Sequence, residues 1–167
     1  KWKEAKPDSR IQEEARKARY DLLQRFAKKK KIKHIFLAHH QDDQAETFLI
    51  RLAKGSGLDG LSCMLDKQET DGGFILCRPL LYMSHQDLIA YCRDHSLGWI
   101  EDPSNENEAY LRPRLRKSRE LLEAEGLSSK RLSVTAKRLA RARAALEAMT
   151  EKTWTEILTR EEPSSLY

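Results

Sequence analysis

The sequence predicts an α/β fold, in which a small parallel sheet is layered with helices and is followed by an all-helical segment. Apolar residues at helical spacing alternate with two short apolar runs of strand length, "HIFLA" and "GGFILC". The resulting order is helix, strand, helix, strand, helix, which is typical of parallel strands joined by helical crossovers. After Asn105 no further strand-like run occurs and arginine becomes frequent.

The first predicted helix starts near Ser9, which has the spacing of a capping box with Gln12. The tetrad Lys28 to Lys31 ends this helix and suits the negative end of its dipole. The first buried strand follows at once. Apolar residues of the helix recur at three- or four-residue spacing: Ile11, Ala15, Ala18, Leu22 and Phe26.

A second helix is predicted to begin at Asp43 and to end at Gly55, because glycine is a common residue just past a helix. The second strand should end at Pro79, and Ser84 should cap a third helix. One stripe of the second helix is predicted to be buried: Ala45, Phe48, Leu49 and Leu52.

Two helices are predicted in the last part of the chain. Pro113 suits the first turn of a helix that ends at Gly126, and Ser128 or Ser129 starts a longer one. The longer helix carries apolar residues at helical spacing: Leu132, Ala136, Leu139, Leu146, Trp154 and Ile157.

A domain boundary is predicted near Glu106, which separates residues 1–105 from a helical arm, residues 106–167. The arm holds two basic stretches, "RPRLRKSR" and "KRLARARA", of the kind that contact phosphates, although a solvated helix face is the commoner explanation for either alone. Together they favour RNA contact. The candidate RNA-binding residues are Arg114, Arg116, Arg119, Lys137, Arg138 and Arg141.

Composition excludes several protein classes. No apolar run approaches the roughly 20 residues that span a bilayer, and the first residues lack the apolar core of a signal peptide, so we expect a cytoplasmic protein without a membrane partner. Cys63, Cys77 and Cys92 form no CxxC pair, which argues against a zinc ribbon or a disulfide framework. A net charge of +5 is compatible with a polyanionic partner.

The stretch "LAHHQDDQAETFLIRLAKGSG" concentrates titratable residues between the first strand and the second helix. A zinc site is disfavoured, since adjacent His39 and His40 would point to opposite faces of a strand. Asp43 and Glu46 have capping spacing, and on spacing alone capping is favoured over ligand binding. Carboxylates at this edge of an α/β sheet can also hold Mg²⁺ or a substrate ammonium group.

The stretch "AHHQDDQAETFLIRLAKGSGLDGLSCM" resembles the signature of tRNA(Ile)-lysidine synthetases, members of the PP-loop ATP pyrophosphatase superfamily. "KPDSRIQEEARKARYDLL" resembles an upstream helix of that family, and "RPLL" and "WIEDPSN" resemble its downstream elements in the same order. The resemblance implies a PP-loop fold and ATP-dependent ligation of free L-lysine to the wobble cytidine of tRNA(Ile) through an adenylated intermediate. ATP and Mg²⁺ are the implied cofactors.

The resemblance also implies roles for individual residues. Asp43 and Glu46 would hold and orient lysine, and Arg112 would neutralise phosphate charge as a third catalytic residue. His39, Asp42 and Arg78 would contact the substrate. The sequence departs from the family at Pro113, which stands where asparagine is usual, so the catalytic arginine is Arg112, Arg114 or Arg116.

The phosphate-cradling SGGxDS loop of the family does not occur between Lys1 and Asp43. We therefore expect this chain to be a fragment that begins about where the third strand ends, and to be inactive alone. Sheet edges would stay unpaired unless a partner, or a second copy in a homodimer, covers them. The alternatives are a tRNA-thiolating PP-loop enzyme, disfavoured because cysteine pairs are absent, and a non-catalytic RNA-binding module.

Overall fold

The computed structural model describes residues 11–100 and 111–160. The expected cap at Ser9, the "DPSN" turn and the boundary near Glu106 lie outside these residues. The secondary structure runs in the order α1 (Ile11–Lys30), β1 (His34–Phe36), α2 (Gln41–Ala53), α3 (Leu58–Leu61), β2 (Lys67–Glu69), β3 (Ile75–Cys77), α4 (His85–Asp94), α5 (Leu111–Lys117), α6 (Arg119–Ala124) and α7 (Ser129–Arg160).

The chain divides into two compact units, and the first comprises residues 11–37 and 66–79 of the described chain. It contains α1 and a three-stranded sheet of order β1-β3-β2. The two predicted strands, β1 and β3, pair in parallel, with Ile35 opposite Leu76. Ala27, Phe74 and Leu76 form the core of this unit, against which Tyr20, Ile35 and Leu37 pack.

The sheet is mixed rather than wholly parallel, because β2 runs antiparallel to β3. Strand β2 was not predicted from the sequence, because its residues, Lys67, Gln68 and Glu69, are all polar and exposed. Such residues give no apolar signal, and the strand is held by its backbone pairing with β3. The α/β class with a helical C-terminal segment is confirmed, since no strand occurs among residues 111–160.

The second unit comprises residues 38–65, 80–100 and 111–160 of the described chain. Its core is the contact of α2 with α7, formed by Ala45, Phe48, Leu132 and Ala136 and bordered by Leu49, Leu61, Cys63 and Leu139. In the predicted stripe of α2, Ala45 and Phe48 are therefore buried and Leu49 is partly buried, whereas Leu52 in the last turn is 51% exposed. This packing holds α2 against the long helix α7.

Most helix ends follow the sequence, but α2 begins at Gln41, before the predicted start at Asp43, and two further differences occur. Gly55 (φ +73°) and Gly126 (φ +82°) adopt the left-handed conformation that glycine tolerates, and each follows a helix as predicted. The helix predicted to run from Pro113 to Gly126 is divided at Ser118 into α5 and α6. The single turn α3 was not predicted.

Ser84 caps α4 as predicted: its hydroxyl accepts a hydrogen bond from Asp87 N (3.0 Å). The described helices include none with the length and apolar character required to cross a bilayer.

Candidate functional site

The N-terminus of α2 is capped by His40 and not, as expected, by Asp43. His40 Nδ1 accepts a hydrogen bond from Asp42 N (3.3 Å), and His40 N donates to Asp43 Oδ2 (3.0 Å). Asp43 is thus the third helical residue and the reciprocal partner of a capping box. Glu46 takes no part in the cap, so the capping explanation covers Asp43 but leaves Glu46 unexplained.

The start of α2 is fixed by contacts beyond its cap. Gln41 N donates to Met83 O (2.9 Å), which ties the first residue of the helix to the loop before α4. Gln44, 1% exposed, exchanges two hydrogen bonds with the backbone of Met64, at 2.8 and 3.1 Å. These bonds leave the carboxylates beside Gln44 little freedom to move.

Glu46 is buried beneath two arginines. Arg112 Nη1 lies 2.7 Å from Glu46 Oε2, and Arg116 Nε lies 2.6 Å from Glu46 Oε1, so each carboxylate oxygen meets its own guanidinium. The Glu46 side chain is 8% exposed, whereas both arginines are about 40% exposed. The hydrogen bond to Glu46 raises the pKa of Arg116, which therefore stays charged.

Arg112 bridges several groups on one face of α2. Besides Glu46, its Nη1 approaches Asp43 Oδ1 at 3.7 Å, and its Nη2 donates to Thr47 Oγ1 (3.2 Å). Thr47 Oγ1 in turn donates to Asp43 O (2.7 Å). The predicted catalytic residues Asp43, Glu46 and Arg112 are therefore brought together across 66 or more positions of sequence.

A third arginine completes the arrangement at Asp42. Arg119 Nη2 lies 3.3 Å from Asp42 Oδ1, and its Nη1 donates to Asp42 Oδ2 at the same distance. Its Nε donates to Glu123 Oε1 (2.9 Å), and this bond is the main cause of a raised pKa at Arg119. We call these six residues the carboxylate–arginine cluster: Asp42, Asp43, Glu46, Arg112, Arg116 and Arg119.

The carboxylate–arginine cluster borders a small cavity of about 40 Å³. Its polar wall includes Asp42, Glu46, Arg116 and Arg119, and its apolar wall includes Leu49, Leu115, Leu122 and Leu132. Because one wall is apolar, electrostatic interactions at the cluster are stronger than they would be in open solvent.

The cluster was only partly visible in the sequence. His40 was not among the candidate site residues, and Arg116 and Arg119 were expected to contact RNA. A usable signal was present, since Arg112, Arg116 and Arg119 are spaced i, i+4, i+7, as residues on one helix face are. Asp42 and Glu46 have the matching i, i+4 spacing. The sequence does not show that these two sets of residues face each other, because that depends on the tertiary structure.

Other predicted site residues lie elsewhere. Arg78 belongs to the first unit and is 4% exposed; its Nη2 donates to Gln68 Oε1 (3.2 Å) and burial lowers its pKa. His39 is half-buried just before the cap of α2. Lys137 places its Nζ 4.5 Å from the centre of the Tyr82 ring. Arg114, Arg138 and Arg141 are exposed.

Residues 1–124 match the model of the PP-loop domain. The chain belongs to the PP-loop domain family. Relatives of this PP-loop chain include proteins named tRNA(Ile)-lysidine synthase. That of Bradyrhizobium diazoefficiens is 45% identical over 151 residues, which cover 90% of this chain and 42% of the relative. The protein of Rhodopseudomonas palustris is 45% identical over 151 residues, covering 90% and 43%.

A third relative, from the Wolbachia endosymbiont of Brugia malayi, is 43% identical over 148 residues, covering 87% of the PP-loop chain and 33% of the relative. The PP-loop chain therefore spans between a third and about two fifths of the length of these relatives. The matched region includes the carboxylates of α2 and extends, in the family match, to the end of α6.

Proposed function

We propose that the protein carrying this PP-loop sequence is a cytoplasmic tRNA-modifying ligase that uses ATP to adenylate the wobble cytidine of tRNA(Ile) and then joins free lysine to it, forming lysidine. The observation that carries the proposal is the carboxylate–arginine cluster, in which the carboxylates of Asp43 and Glu46 both contact the guanidinium of Arg112. The names of the relatives support the same reaction.

Asp43 and Glu46 are proposed to hold the ammonium group of lysine and to orient the amine that displaces AMP. Their ability to hold a cation is supported by Arg112, whose Nη1 lies 2.7 Å from Glu46 and 3.7 Å from Asp43. An ammonium group has the same charge and donates hydrogen bonds to the same carboxylate oxygens. Fixing the amine in an attacking position is the kind of contact that accelerates a ligation most.

Arg112 is proposed to stabilise the phosphate charge of the leaving AMP. Its side chain is 39% exposed, so it is accessible to a ligand while its Nη1 contacts Glu46. A guanidinium offers five donors in a planar fork, which suits phosphate oxygens. Asp42 and His39 are proposed as supporting contacts to the substrate, whereas the substrate role of Arg78, which belongs to the first unit, stays a prediction from the resemblance.

Of the two expected cofactors, ATP belongs to the proposed reaction as a substrate. Mg²⁺ was expected from the resemblance, but the described residues contain no group of three His, Cys, Asp or Glu arranged to hold a metal ion. Asp42, Asp43 and Glu46 each already oppose a guanidinium. The roles proposed for these carboxylates need no Mg²⁺ ion, which stays an expectation from the resemblance.

Thiolation is the less favoured reaction because the sequence contains no pair of closely spaced cysteines, and the environment of Cys63 does not activate its thiol. Burial raises the pKa of the Cys63 thiol to about 11, with Arg51 acting weakly in the opposite direction. A thiol with this pKa is almost wholly protonated at neutral pH and is a poor nucleophile.

The activity test is AMP release by the full-length protein with tRNA(Ile), ATP and lysine. We expect release that requires both tRNA and lysine, and a product nucleoside heavier by one lysine residue. A protein that binds tRNA with a steep salt dependence, yet releases no lysine-dependent AMP, would be an RNA-binding module instead.

We further propose that tRNA lies along the basic face of the helical arm, where the predicted contacts are Arg114, Arg116, Arg119, Lys137, Arg138 and Arg141. Arg138 and Arg141 are the best probes, because they are exposed and no ion pair to either is found within the described residues. Arg116 and Arg119 also hold carboxylates of the cluster, so substitutions there would change two things at once.

Replacing both Arg138 and Arg141 with glutamine should weaken tRNA binding and lower the log–log salt slope by roughly 1.4 to 1.8, because each lost phosphate contact removes about 0.7 to 0.9. Binding would be measured between about 50 and 200 mM salt. The matched control replaces the exposed residues Lys54 and Arg93 with glutamine, so that both variants lose two positive charges. An equal effect of the control would remove this helix face from the binding surface.

A further inference from the structure

The end of α1 carries a dense group of lysines that the proposed reaction does not use. Lys28, Lys29, Lys30, Lys31 and Lys33 occupy five of six consecutive positions, and all five are exposed. We call these five residues the lysine cluster. It belongs to the first unit of the chain, whereas the carboxylate–arginine cluster and the helical arm belong to the second.

Among residues 11–100 and 111–160, no carboxylate pairs with the positive charges of the lysine cluster. In the described part of the chain, no ammonium of the cluster lies within the 4.0 Å limit of an ion pair, although arginines of α5, α6 and α7 make several such pairs. One or two basic side chains would suffice to complement the dipole at a helix end. Five lysines so close together repel each other in the absence of an anion.

The backbone at the cluster adds a second observation. α1 ends with Lys31 N donating to Lys28 O (3.3 Å) and Ile32 N donating to Ala27 O (2.9 Å). This ending places Lys31 at φ +54°, in the left-handed region where glycine is the preferred residue. Lysine therefore occupies a position at which the backbone conformation favours glycine.

We propose that the lysine cluster is a phosphate-binding surface for RNA, in addition to the basic residues of the helical arm. This inference rests on the proposed function, which brings tRNA to the protein. Lysine ammonium groups are hydrated point charges on flexible stems, so they suit a sugar-phosphate backbone whose path varies, with no reading of base identity. Each phosphate that they neutralise releases counterions, which makes the contact sensitive to salt.

The test compares tRNA binding by the full-length protein and by its K28Q/K29Q/K30Q variant over a range of salt concentrations. We expect the variant to bind at least tenfold more weakly at about 100 mM salt and to lose roughly 2 to 3 from the log–log salt slope. Both measurements should change equally with tRNA(Ile) and with an unrelated tRNA, because the contact is to phosphates.

The control variant K54Q/K67Q/K152Q loses the same charge from exposed lysines scattered over α7, β2 and the end of α2. It should lose less than half as much slope as the cluster variant. An equal loss would attribute the effect to net charge and overturn the inference, as would an unchanged slope in the cluster variant.

Two further measurements distinguish this inference from the proposed reaction and from binding to a membrane surface. Lysine-dependent AMP release at saturating tRNA tests the proposed reaction without reference to the cluster, so failure there leaves the binding result interpretable. Binding to vesicles of phosphatidylserine and phosphatidylcholine tests the other polyanionic surface. Loss of vesicle binding in the cluster variant with unchanged tRNA binding would make the cluster a membrane contact and overturn the inference.

Discussion

Asp43→Asn in the full-length protein is expected to lower kcat/KM for lysine by roughly 10²- to 10³-fold, the loss typical of removing one directed electrostatic contact. The unfolding free energy should change by less than about 1 kcal/mol. The amide oxygen of asparagine can still accept the hydrogen bond from His40 N, which is 3.0 Å from Asp43 Oδ2. The substitution thus removes the charge and keeps the cap.

The matched control is Asp87→Asn in α4. Asp87 occupies the same third helical position, in the capping box of Ser84, and accepts from Ser84 N at 3.3 Å. The control should leave kcat/KM unchanged. Near-wild-type lysine transfer by the Asp43→Asn protein would reduce Asp43 to a cap residue. Asp43→Ala, which loses charge and cap together, should be as inactive and also less stable.

Glu46→Gln is a less clean test, because Glu46 supports structure as well as the proposed chemistry. Its side chain is 8% exposed and accepts hydrogen bonds from Arg112 and Arg116. Loss of a hydrogen bond to a charged group costs about 1.5 to 3 kcal/mol when the acceptor is buried. Here both arginines are about 40% exposed, so solvent screening places the expected loss near the lower end.

Phe48→Ala is expected to lower the unfolding free energy by about 3 to 5 kcal/mol, the cost of removing a buried aromatic side chain. Phe48 is 6% exposed and lies in the core between α2 and α7 with Ala45, Leu132 and Ala136. The measurement is urea denaturation followed by circular dichroism. A loss of this size is a large fraction of the stability of an ordinary domain.

Leu52→Ala provides the comparison on the same helix. Leu52 lies on the predicted apolar stripe but is 51% exposed, so we expect a loss below about 1 kcal/mol. Equal losses for Phe48 and Leu52 would mean that the last turn of α2 is covered in the full-length protein. In that case the burial of α2 would extend further than the described residues show.

Secondary structure was predictable where a local signal exists. The capping spacing at Ser84, the left-handed glycines Gly55 and Gly126, and the apolar runs that became β1 and β3 are all short-range patterns. β2 was missed because an exposed polar strand owes its existence to its partner, and the break at Ser118 was missed because the helical pattern continues across it.

The candidate site was predictable in composition but not in arrangement. Asp43, Glu46 and Arg112 were named from the family resemblance, and the structure brings them together. The pairings of Arg116 with Glu46 and of Arg119 with Asp42 were not foreseen, since they join residues 70 and 77 positions apart. Asp43 and Glu46 were expected to form the cap of α2, but His40 and Asp43 form it.

The sequence by itself determined the family, the α/β class, most helix ends and the residue types available at the site, because each depends on local periodicity, capping or a contiguous motif. Only the tertiary structure decided which charges meet. In the second unit, Phe48 of α2 packs against α7. In the same unit, Arg112 and Arg116 of α5 and Arg119 of α6 pair with carboxylates of α2. Charge pairing depends on distance in space, and one-dimensional spacing does not contain that distance.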